Sequence, residues 1–239
     1  MQIIPFNISP HNMHYDGAYS ASELEWRRLG ASDKIDNLQA LLALQKVNSV
    51  LEVGCGTGAV LAEAARRRIG TRHVGIDMAD PWKHVDDRAA DLDLRHYDGG
   101  RLPFDDNSFD LVYASHVVEH VPDPRGFLQE LARVSGKCLY VEVPCEVNMR
   151  TGHDSIQRSL QIGHINGYTP DYFMVLLQTA GLKVSEMRVF DHSFAVHSFG
   201  RPQWKGKLLQ LVRRSMLKFA PRLAPKLFCY HCGALIDCS

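Results

Sequence analysis

The chain contains no apolar run that approaches the ~20 residues a membrane-spanning helix needs. Its first residues, MQIIPFNISP, show no basic stretch followed by an apolar core, so no secretory signal is expected and the cytoplasm is the expected location. There are no internal repeats and no low-complexity tracts. The six cysteines, Cys55, Cys138, Cys145, Cys229, Cys232 and Cys238, are scattered, and that excludes the look of a disulfide framework. Cys229 and Cys232 form a Cys-x-x-Cys, half of a zinc site, with His231 and Cys238 nearby. No second pair stands at a typical distance, so buried packing is expected of them and no metal is expected in the chain. What is present is ordinary for a globular protein: 239 residues, 45% hydrophobic and 23% charged, enough for one sizeable domain with or without a small appendage.

The formal net charge of zero hides an asymmetry. From residue 201 onward there are eight Lys/Arg and one Asp, a balance of +7, and the first 200 residues therefore carry −7. An anionic membrane surface, nucleic acid or the protein's own acidic body could each face such a tail.

The chain is organised around Val50-Leu-Glu-Val-Gly-Cys-Gly-Thr-Gly58. Residues of strand character run into three glycines, and a helix-forming run follows from Ala59. Strand, tight turn and helix let a backbone approach a nucleotide-like ligand closely. The spacing is not the G-x-G-x-x-G of a dinucleotide site, and no Gly-Lys-Ser/Thr marks a phosphate loop. Glu52 precedes the turn, and a carboxylate there suits an ammonium-bearing ligand better than a pyrophosphate. On these nine residues the sequence resembles the class I S-adenosylmethionine-dependent methyltransferases, more narrowly the type 11 family.

The rest of the chain extends that resemblance over about residues 24–190. Strands are expected at about Ser49–Val53, His73–Ile76, Phe109–Ala114 and Lys137–Val143, with helices at about Ala59–Ile69 and Arg125–Val134. Strands alternating with helices imply a doubly wound, mostly parallel α/β sheet. The resemblance makes it seven-stranded, with helices on both faces and the last strand antiparallel. Asp77 ends the second strand ~20 residues beyond the glycine turn, where a carboxylate meets ribose hydroxyls. Met78 would pack on the adenine. The stretch HYDGGRLPFDDNSFDLVYASHVVEHVPDP matches the family over some thirty residues; by that likeness Asp98 and the Gly99 backbone would hold the adenine amine. With S-adenosylmethionine as cofactor, its expected contacts are Lys34, Glu52, Gly54, Cys55, Gly56, Gly58, Asp77, Met78, Asp98, Gly99 and Ser115. Lys34, or alternatively Arg28, would meet its carboxylate.

Three regions are expected: a helical cap at 1–45, the cofactor-binding domain at 46–200 with a lid insertion at about 145–169, and a basic C-terminal extension at 201–239. In the cap, Leu24, Leu38, Leu41 and Leu42 within Ser20–Leu44 suggest one or two helices broken at Gly30. Residues 80–95, starting at Pro81, and the lid read as irregular. A helix at about Pro170–Ala180 leads to a sixth strand, and DHSFAVHSFG alternates like the final one. Residues 203–220 form an amphipathic helix that either packs on the body or lies on a membrane surface.

Methyl transfer needs an acceptor held in line and, for a hydroxyl, a base. His116, at the end of the fourth strand, and His153 and His164, in the lid, are the candidate bases, with Glu119, His120 and Tyr168 behind them. The expected acceptor is a small molecule or a glycan, through oxygen. An N-methyltransferase and a non-catalytic scaffold subunit are the alternatives. Ser115-His-Val-Val lacks the Pro-Pro motif of base methylation, which argues against nucleic acid. The sequence does not indicate an oligomeric state.

Overall fold

The computed structural model describes residues 5–6, 20–42, 46–80 and 85–239. Seven strands form one sheet: β1 (Ser49–Val53), β2 (Arg72–Asp77), β3 (Asp93–His96), β4 (Phe109–Ser115), β5 (Ser135–Cys145), β6 (Val184–Phe190) and β7 (Tyr230–Asp237). Their order is β3-β2-β1-β4-β5-β7-β6, and β7 alone runs antiparallel to its neighbours. Among the described residues, eight α-helices surround it: α1 (Ala21–Leu42), α2 (Ala59–Arg66), α3 (Pro124–Val134), α4 (His153–Gln161), α5 (Pro170–Thr179), α6 (Phe194–Ser198), α7 (Gln203–Phe219) and α8 (Ala224–Leu227).

Strand periodicity sorts the core into two layers. Leu51, Val53, Val112, Leu139, Val141 and Val143 face α3 and α5, packing on Leu128, Leu131, Phe173 and Leu177. Val50, Leu111, Tyr113 and Tyr140 face the other way, towards Ile35, Leu38 and Leu41 of α1 and Leu61 of α2. The same alternation places Glu52, Ser115, Glu142 and His231 on the α1 side, so that side has a polar end at the carboxyl edge of the sheet.

Several expectations change here. The final antiparallel strand is Tyr230–Asp237, not residues 191–200. Ser193 accepts a hydrogen bond from the Val196 amide and starts helix α6 instead. The sheet therefore does not end at residue 200; β7 pairs residue by residue with β5 from Cys138↔Asp237 to Cys145↔Tyr230. Cys232 points into one core layer while His231 points to the other face of the sheet. α1 runs unbroken through Gly30. A mid-helix glycine costs about 1 kcal/mol, and burial of each of Ile35, Leu38 and Leu41 contributes roughly 1.5–3 kcal/mol, so packing wins. Leu44 and Pro81 lie outside the described residues. Residues expected to be irregular hold β3 and a 3₁₀ turn at Asp87–Ala89, and the lid holds α4. β5 starts at Ser135, two residues ahead of the expected Lys137.

Candidate active site at the carboxyl edge of the sheet

The glycine turn closes on β2. The amides of Gly54 and Cys55 donate to the Ile76 carbonyl at 2.8 and 3.1 Å. Gly54, Gly56 and Gly58 have φ of 79°, 51° and 74°, the left-handed region that only glycine enters without strain. They differ in what surrounds them. A Cβ on Gly54 would stand 2.4 Å from Val117, and one on Gly58 2.8 Å from Ala89. At Gly56 the nearest atom is the Arg27 guanidinium at 3.9 Å, so this position opens outward. Gly54 and Gly58 are thus needed by the fold, and Gly56 is the one a ligand can approach. Cys55 turns its thiol into the core, where burial pushes its pKa up, and only its backbone faces the edge.

Asp77 ends β2 beside this turn. One of its oxygens accepts from the Gly56 amide at 2.7 Å and the other from the Ala79 amide at 2.8 Å. Met78 is largely exposed and its sulfur lies against Gly99, where a Cβ would come within 2.6 Å. Asp98 is exposed and folds back on the Gly100 amide at 2.9 Å. Ribose-side and adenine-side candidates therefore line one stretch of the carboxyl edge. Arg28 is committed elsewhere, in an ion pair of 2.8 Å with Asp86.

Beneath α1 lies a buried polar cluster. Glu52 accepts from the Tyr113 hydroxyl at 3.0 Å. Its burial raises its pKa to about 8, only partly opposed by the Lys34 charge and that hydrogen bond. Lys34 donates to the Ser115 carbonyl at 3.3 Å. Burial pulls its pKa below the ordinary value against the charges of Glu142, Glu52 and Glu119. Glu142 receives Asn37 at 2.8 Å, the Tyr140 hydroxyl at 2.6 Å and the Ser115 hydroxyl at 3.2 Å. Burial alone would raise it, but His116, His231 and Tyr140 outweigh that and hold it at about 2. Gly233 on β7 makes room for Tyr140, since a Cβ there would stand 2.5 Å from the phenol oxygen.

His116 follows β4 with φ of 61°, an unfavourable conformation for a residue with a Cβ, and its amide donates to the Glu142 carbonyl at 2.9 Å. Its Nε2 lies 2.8 Å from His231 Nδ1, and His231 Nε2 lies 2.8 Å from His192 Nε2. His192 Nδ1 in turn is 3.5 Å from Asp33. Burial is the first cause that lowers the pKa of His116, to about 4, so the ring is neutral at pH 7.

The structure separates the three candidate bases. His116 sits in this cluster. His164 sits beside it, with Glu119, His120 and Glu146. His153 is exposed at the start of α4 and stacks on Phe6 at 4.6 Å, outside both groups. Tyr168 is buried in the core layer against Phe173. Glu142, His231, His192, Asp33 and Asn37 were not read as site residues from the sequence. Only Glu142 carried a signal, as a lone acid inside an apolar strand.

Residues 51–137 match the family model described as a methyltransferase domain. A probable S-adenosylmethionine-dependent methyltransferase of Mycolicibacterium smegmatis is 32% identical over 142 residues, covering 57% of this chain and 52% of that protein. The 27-O-demethylrifamycin SV methyltransferase of Amycolatopsis mediterranei is 27% identical over 210 residues, 81% of this chain and 71% of that protein. Against four curated relatives the chain spans between 35% and 52% of their own length. The crystal structure of an S-adenosylmethionine-dependent methyltransferase from Aquifex aeolicus superposes with a TM-score of 0.56 at 17% identity, covering 93% of this chain and 100% of that one, a likeness of fold.

Proposed function

We propose, on the premise that this chain belongs to the class I S-adenosylmethionine-dependent methyltransferases, that it methylates an oxygen of a small-molecule or glycan acceptor. The residues present suit the cofactor: a glycine turn open at Gly56, a carboxylate at Asp77 beside it, and a buried carboxyl at Glu52 with Lys34 close by. In this reading Glu52 takes the ammonium group, Lys34 the carboxylate, Asp77 the ribose, and Met78, Asp98 and Gly99 the adenine, with Gly54, Cys55, Gly58 and Ser115 shaping the edge. Bound S-adenosylmethionine supplies the methyl group and, at its sulfur, the leaving group.

The observation that carries the oxygen assignment is the histidine chain. We assign the His192 proton to Nδ1, which lies 3.5 Å from Asp33; His192 Nε2 is then an acceptor for His231, and His231 Nδ1 an acceptor for His116 Nε2. His116 Nδ1 is left as the basic atom. As the acceptor hydroxyl forms its new O–C bond, its proton goes to His116 Nδ1. The His116 Nε2 proton can then pass to His231, and onward through His192 to Asp33, so no charge is stranded on a buried ring. An amine acceptor has less use for such a chain. The rifamycin relative, named for a 27-O-methylation, points the same way.

The test is transfer of radiolabelled methyl to a panel of phenols, polyketide alcohols and sugars. His116→Gln should lower turnover by roughly 10²–10⁴ while S-adenosylhomocysteine binding, followed by calorimetry, is kept. Label reaching amines but no hydroxyl compound would overturn the oxygen assignment, and full turnover by His116→Gln would overturn the base.

The basic tail belongs to the same proposal. No helix among the described residues is long and apolar enough to cross a membrane. α7, however, exposes Trp204, Leu208, Leu211, Val212 and Phe219, rimmed by exposed Lys205, Lys207, Arg214, Lys218 and, just beyond the helix, Arg222. Its inner side is anchored by Arg213, which bonds Asp191 at 2.6 Å. Apolar residues within a cationic rim suit an anionic bilayer surface, where a lipophilic acceptor would be met.

A further inference from the structure

We propose that Glu119, His120 and His164 form a binding site for one divalent transition-metal ion of the zinc or cobalt kind. One ligand atom from each lies within 4.8 Å of the other two. Glu119 has no exposed surface, and among the described residues neither of its carboxylate oxygens has a hydrogen-bond partner. A buried carboxylate left so is costly, and a cation is what it lacks.

Hydrogen bonds set the tautomers of both imidazoles. His120 Nδ1 lies 3.0 Å from the Gly163 carbonyl, which can only accept, so the proton is on Nδ1 and the lone pair on Nε2. His164 Nδ1 lies 2.9 Å from a Glu146 oxygen, and its Nε2 is 4.0 Å from Glu119. A metal-bound histidine is usually held in this manner, by an acceptor on the opposite nitrogen. The two rings meet edge to face at 4.7 Å. Two imidazoles and a carboxylate are donors for a transition metal, whereas magnesium and calcium take oxygen.

A second trio, His116, Glu142 and His231, is also close enough to be considered. Its donors are already engaged: Glu142 by Asn37, Tyr140 and Ser115, and both His231 nitrogens by histidines. An ion there would have to break those bonds.

The site joins two parts of the chain. Glu119 and His120 lie on the 3₁₀ turn after β4, and His164 follows α4 in the lid. The amides of Ile165 and Asn166 already fasten the lid to the Glu119 carbonyl at 2.9 and 3.0 Å. Donors about 2.0–2.2 Å from a tetrahedral ion stand roughly 3.4 Å apart, so binding draws the lid inward by on the order of 1 Å. Three protein ligands leave a position for water or an acceptor oxygen, and His116 Nδ1 stands 3.7 Å from Glu119. That role in the reaction rests on the methyl-transfer reading; the binding of the ion does not.

The full chain, stripped with chelator, is titrated with Co²⁺ by visible absorption and with Zn²⁺ by calorimetry. One ion per chain is expected, with affinity about 100-fold weaker in Glu119→Gln and in His164→Gln and within about twofold of wild type in His231→Gln. Circular dichroism and S-adenosylhomocysteine binding check that each variant is folded. No cobalt band and no zinc heat up to about 1 mM ion, or binding that survives Glu119→Gln and is lost in His231→Gln, overturns the site. Metal binding without methyl transfer to any acceptor would count against the transferase reading alone.

Discussion

The proposed cofactor side and the proposed acceptor side of the carboxyl edge are built in different ways. On the cofactor side, Gly54 to Gly58, Asp77 and Met78 lie within one strand–turn–helix–strand unit, and the key bond joins Gly56 to Asp77. On the acceptor side, His116 meets His231 across 115 positions, and Asp33 reaches Ser193 across 160. Turn chemistry can set the first locally. The second exists only once the whole sheet has formed.

That contrast can be broken by substitution. In the proposed reading Asp77 holds the ribose through two charge-assisted hydrogen bonds, each worth about 1.5–3 kcal/mol, so S-adenosylhomocysteine affinity should fall by roughly 10²–10⁴ in calorimetry on Asp77→Ala. The same titration on His231→Gln should give the wild-type affinity. If both variants lose it, the two sides are one site rather than two.

A smaller effect concerns acidity. Glu52, held at about 8 by burial, is protonated at pH 7. An ammonium partner needs the carboxylate, so cofactor binding must release a proton below that pH. Affinity should rise about tenfold per unit from pH 6 towards 8 and then level off. Calorimetry in two buffers of different ionisation enthalpy would detect the proton. The sign for stability is opposite: the cofactor-free protein keeps the contribution of neutral Glu52 below its unfolded pKa and loses it as pH climbs through 8. A flat affinity across this range would remove Glu52 from the ammonium.

The smallest effect on the fold should come from α7. Replacing Trp204 and Phe219 with Ser, at 65% and 78% exposed, should shift stability by less than about 0.5 kcal/mol each. Sedimentation with vesicles containing phosphatidylserine should nonetheless fall clearly, and fall further with salt. Unchanged sedimentation would assign the exposed stripe to something other than a bilayer.

The glycine turn and the acid that ends β2 were readable because glycine spacing and a strand-ending acid are local signals. Four of the parallel strands were also readable from their apolar runs. β3 was missed, since Asp93–His96 is short and polar and earns its place only by pairing with β2. The last strand was misplaced because Phe194, Val196 and His197 alternate much as a strand does, while the hydroxyl of Ser193 decides for a helix. In Tyr230–Asp237 the eye falls on the cysteines and on Gly233, a poor strand residue. Gly233 is there because Tyr140 needs the space. His192 could not be found at all and His231 was noted only beside the Cys-x-x-Cys, as nothing near either in sequence reveals that they touch.

The slot filled by β7 has a bearing on how the protein comes into being. β5 and β6 leave the ribosome before the strand that separates them, so each holds an unsatisfied edge while synthesis continues. Because His231 rides on that late strand, the histidine chain closes only when β7 slides between β5 and β6. On the proposed reading, a nascent chain recognises its cofactor early and is incapable of turnover until the sheet is sealed.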